Sequence, residues 1–201
     1  MIAAAVFALA GTSAMAATCG TGTSTGQRNF ALDAAVGNTA TVSCYAYGTG
    51  NINGNTSGPN GDPILKGATF GNNTFVLKAP AVISNLTLLD KSDVGGDLFD
   101  GALTGTVNNG PNTGSFSIGN LPSYSSLIVA LKSGNNLNPS WAAFKISMVG
   151  AFDFSILPKG GISHVNVYGV KDPAPVPLPA SALLLMAGMG GLAAMRRRKK
   201  S

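Results

Sequence analysis

Trp141-Ala142-Ala143-Phe144-Lys145-Ile146-Ser147-Met148-Val149, Phe152-Asp153-Phe154-Ser155-Ile156 and Ile162-Ser163-His164-Val165-Asn166-Val167-Tyr168-Gly169-Val170 follow one another with only short Gly- and Pro-containing gaps between them. Each is a short run rich in β-branched and aromatic residues, bounded by turn formers, which is the signature of a strand. The same rhythm extends upstream through Thr39–Tyr47, Thr74–Lys78, Ala81–Leu89, Ala102–Val107, Gly114–Ile118 and Ser126–Lys132. In Thr39–Tyr47, Val42, Cys44 and Ala46 alternate with Thr41, Ser43, Tyr45 and Tyr47, so the two sets are expected on opposite faces. The break in alternation at Ile162-Ser163-His164-Val165 leaves the register of the last strand open. About nine strands and no amphipathic helix predict an all-β domain, an antiparallel β-sandwich or jelly roll.

Composition agrees. Gly occurs 27 times in 201 residues and every acidic side chain is Asp, so helix formers are scarce and turn formers abundant. Five of the 13 basic residues are Arg196–Lys200, which leaves eight against eight acidic residues elsewhere. The basic isoelectric point is therefore a property of the terminus, and no nucleic-acid footprint is expected. Residues 17–170 form the expected β-sandwich ectodomain, long enough to bury about two-thirds of the surface of the unfolded chain. Asn51–Pro63 is a polar Gly/Asn/Pro loop, expected to be mobile or to form a binding edge, and 171–175 is a Pro-containing linker.

Both ends carry targeting patterns. In residues 1–16 an apolar run, Ile2–Ala10, leads to Ala14-Met15-Ala16, a small-residue cleavage pattern, which reads as a signal peptide. No Lys or Arg follows Met1, so either the chain begins downstream of its true start codon, which is the favoured reading, or the signal is atypical. At the other end, Val176-Pro177-Leu178-Pro179-Ala180 precedes an uncharged run, Ala180–Met195, and the basic tail 196–200. A helix over 180–195 would span about 24 Å, short of the roughly 30 Å hydrocarbon core. It reads as a marginal transmembrane helix in contact with lipid. The basic tail places the C-terminus in the cytoplasm and the preceding residues outside.

The order Val176-Pro177-Leu178-Pro179-Ala180, short apolar span, Arg-rich end resembles the VPLPA variant of the PEP-CTERM sorting signal. That resemblance covers residues 176–201 and implies recognition by an exosortase, a membrane-embedded transpeptidase that would cut near Val176, Pro177, Leu178, Pro179 and Ala180. Gly161-Ile162-Ser163-His164, followed by Tyr168, is similar to the final strand found just before this signal in many such ectodomains, with Ile162 where Leu is commoner. Those ectodomains look like β-sandwiches.

Few residues in the sequence suggest chemistry. Cys19 and Cys44 lie in the exported part and are expected to form a disulfide, stabilising the fold by roughly 3–4 kcal/mol and pinning the mature N-terminus against the first strand. Thr18 argues against Cys19 being a lipidated cysteine. His164 is the lone histidine. In a Ser-His-Asp arrangement its nearest serine would be Ser163, yet successive strand residues point to opposite faces, which keeps the two apart. Asp153 is the carboxylate that a neighbouring strand could bring near. Asp90, Asp93, Asp97 and Asp100 sit on a Gly-containing segment and are the candidate ligands for calcium, although the spacing is not that of an EF-hand. Trp141, Tyr45, Tyr47, Tyr124 and Tyr168 could form a sugar-stacking platform, while Phe144 and Ile146 beside Trp141 suit core packing. One histidine and two cysteines cannot build a zinc site, and no phosphate-cradling glycine loop precedes a helix.

The expectation is an exported, non-enzymatic protein without an obligate cofactor, held briefly in the inner membrane and then delivered to the cell surface or extracellular matrix, where it associates with exopolysaccharide. A carbohydrate-binding module with a defined sugar site is the alternative, and a secreted hydrolase a further one.

Overall fold

The computed structural model describes residues 16–22, 24–57, 61–92, 103–104, 112–119, 121, 124–134, 137–158 and 160–171. The expectations for the signal peptide, the linker beyond Lys171, the sorting motif, the 180–195 helix and the basic tail lie outside these residues. Among the described residues no helix is long and apolar enough to cross a membrane.

The chain forms β1 (Ala17–Gly20), β2 (Asn29–Ala34), β3 (Val42–Gly48), a helical turn α1 (Pro63–Lys66), β4 (Val76–Leu77), β5 (Thr87–Lys91), β6 (Leu103–Thr104), β7 (Thr113–Ile118), β8 (Tyr124–Ser133), β9 (Trp141–Ile146), β10 (Gly150–Leu157) and β11 (Ile162–Lys171). They make a smaller sheet, β1-β2-β10-β7-β6, and a larger one, β4-β3-β9-β8-β11-β5. Every pairing is antiparallel.

The two sheets bury a common apolar layer, and period-two patterning produces it. In β10, Phe152, Phe154 and Ile156 are buried while Ala151, Asp153 and Leu157 are exposed. They meet Phe30 and Leu32 of β2, Phe116 and Ile118 of β7, and Val129, Leu131, Phe144, Val165 and Val167 from the larger sheet. Burying each such side chain stabilises the fold by about 1.5–3 kcal/mol before entropy is counted. The expected disulfide is present: Cys19 of β1 and Cys44 of β3 are bonded with their Cα atoms 5.2 Å apart. It pins β1 against the strand that contains Cys44, as expected, and so ties the edge strand of one sheet to a strand of the other.

Other expectations change. β1 and β2 were not anticipated, because Cys19 is the single buried residue of β1 and β2 shows only Phe30 and Leu32. Residues 81–86 precede β5 and do not belong to a strand. The simple alternation across Thr39–Tyr47 fails at a register shift between Cys44 and Ala46. A bulge inserts one residue and reverses the facing of the residues beyond it. Tyr47 consequently joins Val42 and Cys44 between the sheets, while Tyr45 and Ala46 face the other way. Trp141 does not pack with Phe144 and Ile146: they lie on opposite faces of β9.

The outer face of the larger sheet carries a second buried layer. Residues 49–57 and 61–86 run across it, contributing Ile52, Ile64 and Leu86 over Tyr45, Ile128, Ala130, Trp141, Ala143 and Tyr168. Asn51–Pro63 was expected to be mobile or a binding edge. Ile52 and Asp62 within it are wholly buried, while Asn51 and residues 55–57 are exposed. The chain turns at α1, where Asp62 caps the helix by accepting from Ile64 N, Pro63 occupies a first-turn position and Gly67 closes it at φ 63°. That left-handed conformation suits glycine, and the N-terminal Pro needs no hydrogen bond.

Candidate functional site

Because Val165 and Val167 of β11 point between the sheets, His164, Asn166 and Tyr168 point to the opposite face, beneath the covering segment. All three are buried, with Asn166 and Tyr168 at 0% exposure. Polar groups in such a place must find partners or cost the fold their desolvation. They find them in the covering segment. His164 Nε2 donates to the carbonyl oxygen of Ile52 at 2.9 Å, and Asn166 Nδ2 donates to the same oxygen at 2.9 Å. Asn166 Nδ2 also donates to Tyr168 Oη at 2.7 Å, and Tyr168 Oη donates to Asp62 Oδ2 at 2.6 Å. Since a carbonyl only accepts, the Ile52 contact places a proton on Nε2 of His164.

Asp62 is the hub. Oδ2 also accepts from Gly54 N at 2.9 Å, and Oδ1 accepts from Ile64 N at 2.9 Å. Burial pushes its carboxyl above the ordinary value, against the pull of its hydrogen bonds to Tyr168, Gly54, Ile64 and Leu65. Burial first, and the neighbouring Asp62 second, raise the Tyr168 phenol well above its ordinary value. Asn166 Oδ1 is buried without a partner, a defect that costs about 1–3 kcal/mol.

The other aromatics on this face act in the same way. Tyr45 Oη accepts from Ile83 N at 3.0 Å, and Trp141 Nε1 donates to Thr49 O at 3.2 Å. Tyr45, Trp141 and Tyr168 therefore hold down the covering segment at separate points. Tyr47 belongs to the layer between the sheets, and Tyr124 is partly buried against that layer. The five aromatics proposed for sugar stacking do not share a face, and none of them is exposed in the manner of a platform.

The catalytic constellation is not assembled. Asp153 lies on the exposed face of β10 in the smaller sheet, opposite Asp33 and Ser115, whereas His164 lies under the cover of the larger sheet. The two occupy opposite outer sides of the sandwich. Ser163 and His164 were expected to point apart. They touch instead, Ser163 Oγ to His164 Nδ1 at 3.4 Å, because the strand register shifts between Ile162 and His164. That distance is at the long limit of a hydrogen bond and offers little activation of the hydroxyl.

Of the candidate calcium ligands, Asp90 is buried in β5, with Oδ1 accepting from Lys91 N at 2.8 Å. Asp93, Asp97 and Asp100 lie outside the described residues. Among the described residues no three His, Cys, Asp or Glu side chains are grouped to hold a metal. Asp62 and Asn166, the centre of the observed network, were not singled out from sequence. The available signals were Asp62 directly before Pro63, a capping pattern, and the i, i+2, i+4 spacing of His164, Asn166 and Tyr168. No protein-family model matches the chain, and neither a curated protein nor a solved structure does.

Proposed function

We propose that the chain is an exported surface or extracellular-matrix protein, sorted through Val176–Ala180 by an exosortase and delivering a non-enzymatic β-sandwich to an exopolysaccharide-containing environment. The observation that carries this reading is the order of the tail: proline-rich motif, uncharged run, then Arg196–Lys200. The Cys19–Cys44 disulfide supports an oxidising destination, since such bonds persist outside the cytosol. The use of His164, Tyr168 and Asp62 as ties beneath the covering segment supports a structural role for the residues that otherwise resemble chemical ones. A 16-residue apolar run suits temporary retention better than permanent anchoring.

Mass spectrometry of the mature C-terminus tests the proposal. Surface-localised protein should end within or near the motif and lack residues 181–201. Recovery of surface protein that still carries Arg196–Ser201 would overturn the processing step.

A further inference from the structure

We infer that one end of the sandwich docks on the surface of a lipid bilayer through Val36 and Met148, an inference that rests on the reading of 180–195 as a membrane segment. β2 ends at Ala34, opposite Phe152 of β10, and β3 begins at Val42, opposite Ile146 at the end of β9. The connections 35–41 and 147–149 therefore lie side by side at this end. Ala35 N and Asn38 Nδ2 donate to Ala151 O at 3.0 and 2.8 Å. Thr41 N donates to Ser147 Oγ at 2.8 Å, and Ser147 N donates to Thr41 O at 3.1 Å.

What this braced pair of loops presents is apolar. Val36 and Gly37 form the middle of a turn, with Asn38 N donating to Ala35 O at 2.9 Å and Gly37 at φ 89°. Such positions ordinarily carry polar residues. Val36 is instead fully exposed, and Met148 is 45% exposed, with its Sδ 3.6 Å from Thr39 Oγ1. No charged residue occurs in 35–41 or 147–149. At the opposite end the β1–β2 connection, residues 21–27, reads Thr-Gly-Thr-Ser-Thr-Gly-Gln and has no apolar side chain. Asp33 and Asp153 stand opposite each other on the outer face of the smaller sheet, which keeps that face in water and limits the contact to the tip.

The course of the chain supplies the occupant. β11 ends at Lys171, opposite Tyr124 at the start of β8, and Leu127 of β8 stands opposite Ile146. The chain thus leaves the domain at the end that carries Val36 and Met148. Residues 172–179 separate it from the uncharged run and can reach at most about 30 Å. Ala17 opens β1 opposite Leu32, close to Ala34, so residues 1–16, read as a signal peptide, join the domain at the same end. A tether this short makes contact with lipid intramolecular, and a small apolar tip then suffices.

The full-length protein in phosphatidylcholine vesicles tests this. Both native cysteines are bonded to each other, so one introduced cysteine takes an environment-sensitive fluorophore alone. Probes at Val36→Cys and Met148→Cys should shift to the blue and lose emission when the phosphatidylcholine is brominated. Thr25→Cys, on an exposed turn at the opposite end, should do neither. Val36→Asp should abolish the quenching of the Met148→Cys probe. A probe at Leu184→Cys reports the membrane segment independently. Quenching there without quenching at position 36 overturns the docking and leaves the membrane reading standing. An unquenched probe at position 184 overturns the membrane reading and the docking with it. Quenching at position 148 that survives Val36→Asp also overturns the docking, because the tether alone would then account for it. A blue shift at position 36 without bromine quenching overturns it too, and marks a contact with a second copy of the chain.

Discussion

The larger sheet is buried on both faces, and the two faces are held by different physics. Between the sheets, Phe144, Val129, Val165 and Val167 meet Phe116, Phe152 and Phe154, and stability there comes from apolar area removed from water. On the outer face, Ile52, Ile64 and Leu86 supply apolar contact, yet the covering segment has little regular structure beyond α1 and β4. A segment without ladder partners must satisfy its buried backbone groups elsewhere. Tyr45, Trp141, His164 and Asn166 do this from the sheet, and Asp62, itself held by the Tyr168 hydroxyl, does it from within the segment. A sheet face covered by another sheet can therefore be aliphatic and aromatic throughout. One covered by irregular chain has to present polar tips at the places where the backbone needs them.

The largest expected effect lies in the first layer. Phe144→Ala removes a fully buried ring from between the sheets and should cost about 3–5 kcal/mol in urea unfolding. Because this layer joins both sheets, amide protection should fall throughout the domain together. A loss restricted to the covering segment would break the distinction between the two layers.

The same distinction explains what could be read from the sequence. The alternation that builds β7, β9, β10 and β11 is local, so these strands and the class of fold were legible from Gly114–Ile118 and from the runs beginning at Trp141. Face assignment failed at Cys44/Ala46, where one residue is inserted without a mark in hydropathy. At Ile162/His164 the break in alternation showed the irregularity and left the register open, although Ser163 and His164 were still expected to point apart. The pairing of β2 with β10 joins Asn29 to Leu157, and neither strand encodes the identity of so remote a neighbour. Asn51–Pro63 was expected to be a mobile loop or a binding edge because it is polar, and nothing in that polarity marked Ile52 and Asp62 as buried. Asp62 is polar for the opposite reason: its carboxylate accepts bonds that buried backbone and Tyr168 would otherwise lack. Polarity that serves water and polarity that serves a buried backbone look alike in one dimension.

Asp62 offers the next test of the comparison. Asp62→Ala strands Gly54 N, Ile64 N and the Tyr168 hydroxyl, and should cost about 2–4 kcal/mol. Hydrogen exchange should show the loss first in residues 52–57 and 61–66, with β7 and β10 retaining protection, since weaker units open below the global transition. Uniform loss of protection would mean that the cover and the sandwich form one cooperative unit. The pH dependence has a definite sign. Burial raises the native carboxyl above 3.8, so the native state holds this proton more tightly than the unfolded chain. The contribution of Asp62 to stability is greatest at and below that ordinary value and declines as pH rises through the native one. Asp62→Asn should remove this slope.

The smallest effect is the most selective. Tyr168→Phe keeps the buried ring and deletes only the hydroxyl that accepts from Asn166 and donates to Asp62. It should cost about 1–2 kcal/mol near neutral pH, because one charge-assisted bond is lost while Asp62 keeps its backbone donors. The difference between the two proteins should then shrink in alkali. Burial holds the Tyr168 phenol protonated in the native state well above 10, whereas the unfolded chain releases that proton near its ordinary value. Above pH 10 the native state binds the extra proton, so wild-type stability falls with pH and Tyr168→Phe lacks that fall. Tyr45, also raised by burial, is present in both proteins and cancels in the comparison. Parallel stability curves from pH 8 to 11 would show that the phenol is not sealed beneath the segment. The outer layer would then be a loosely laid strap, with its polar tips in contact with water.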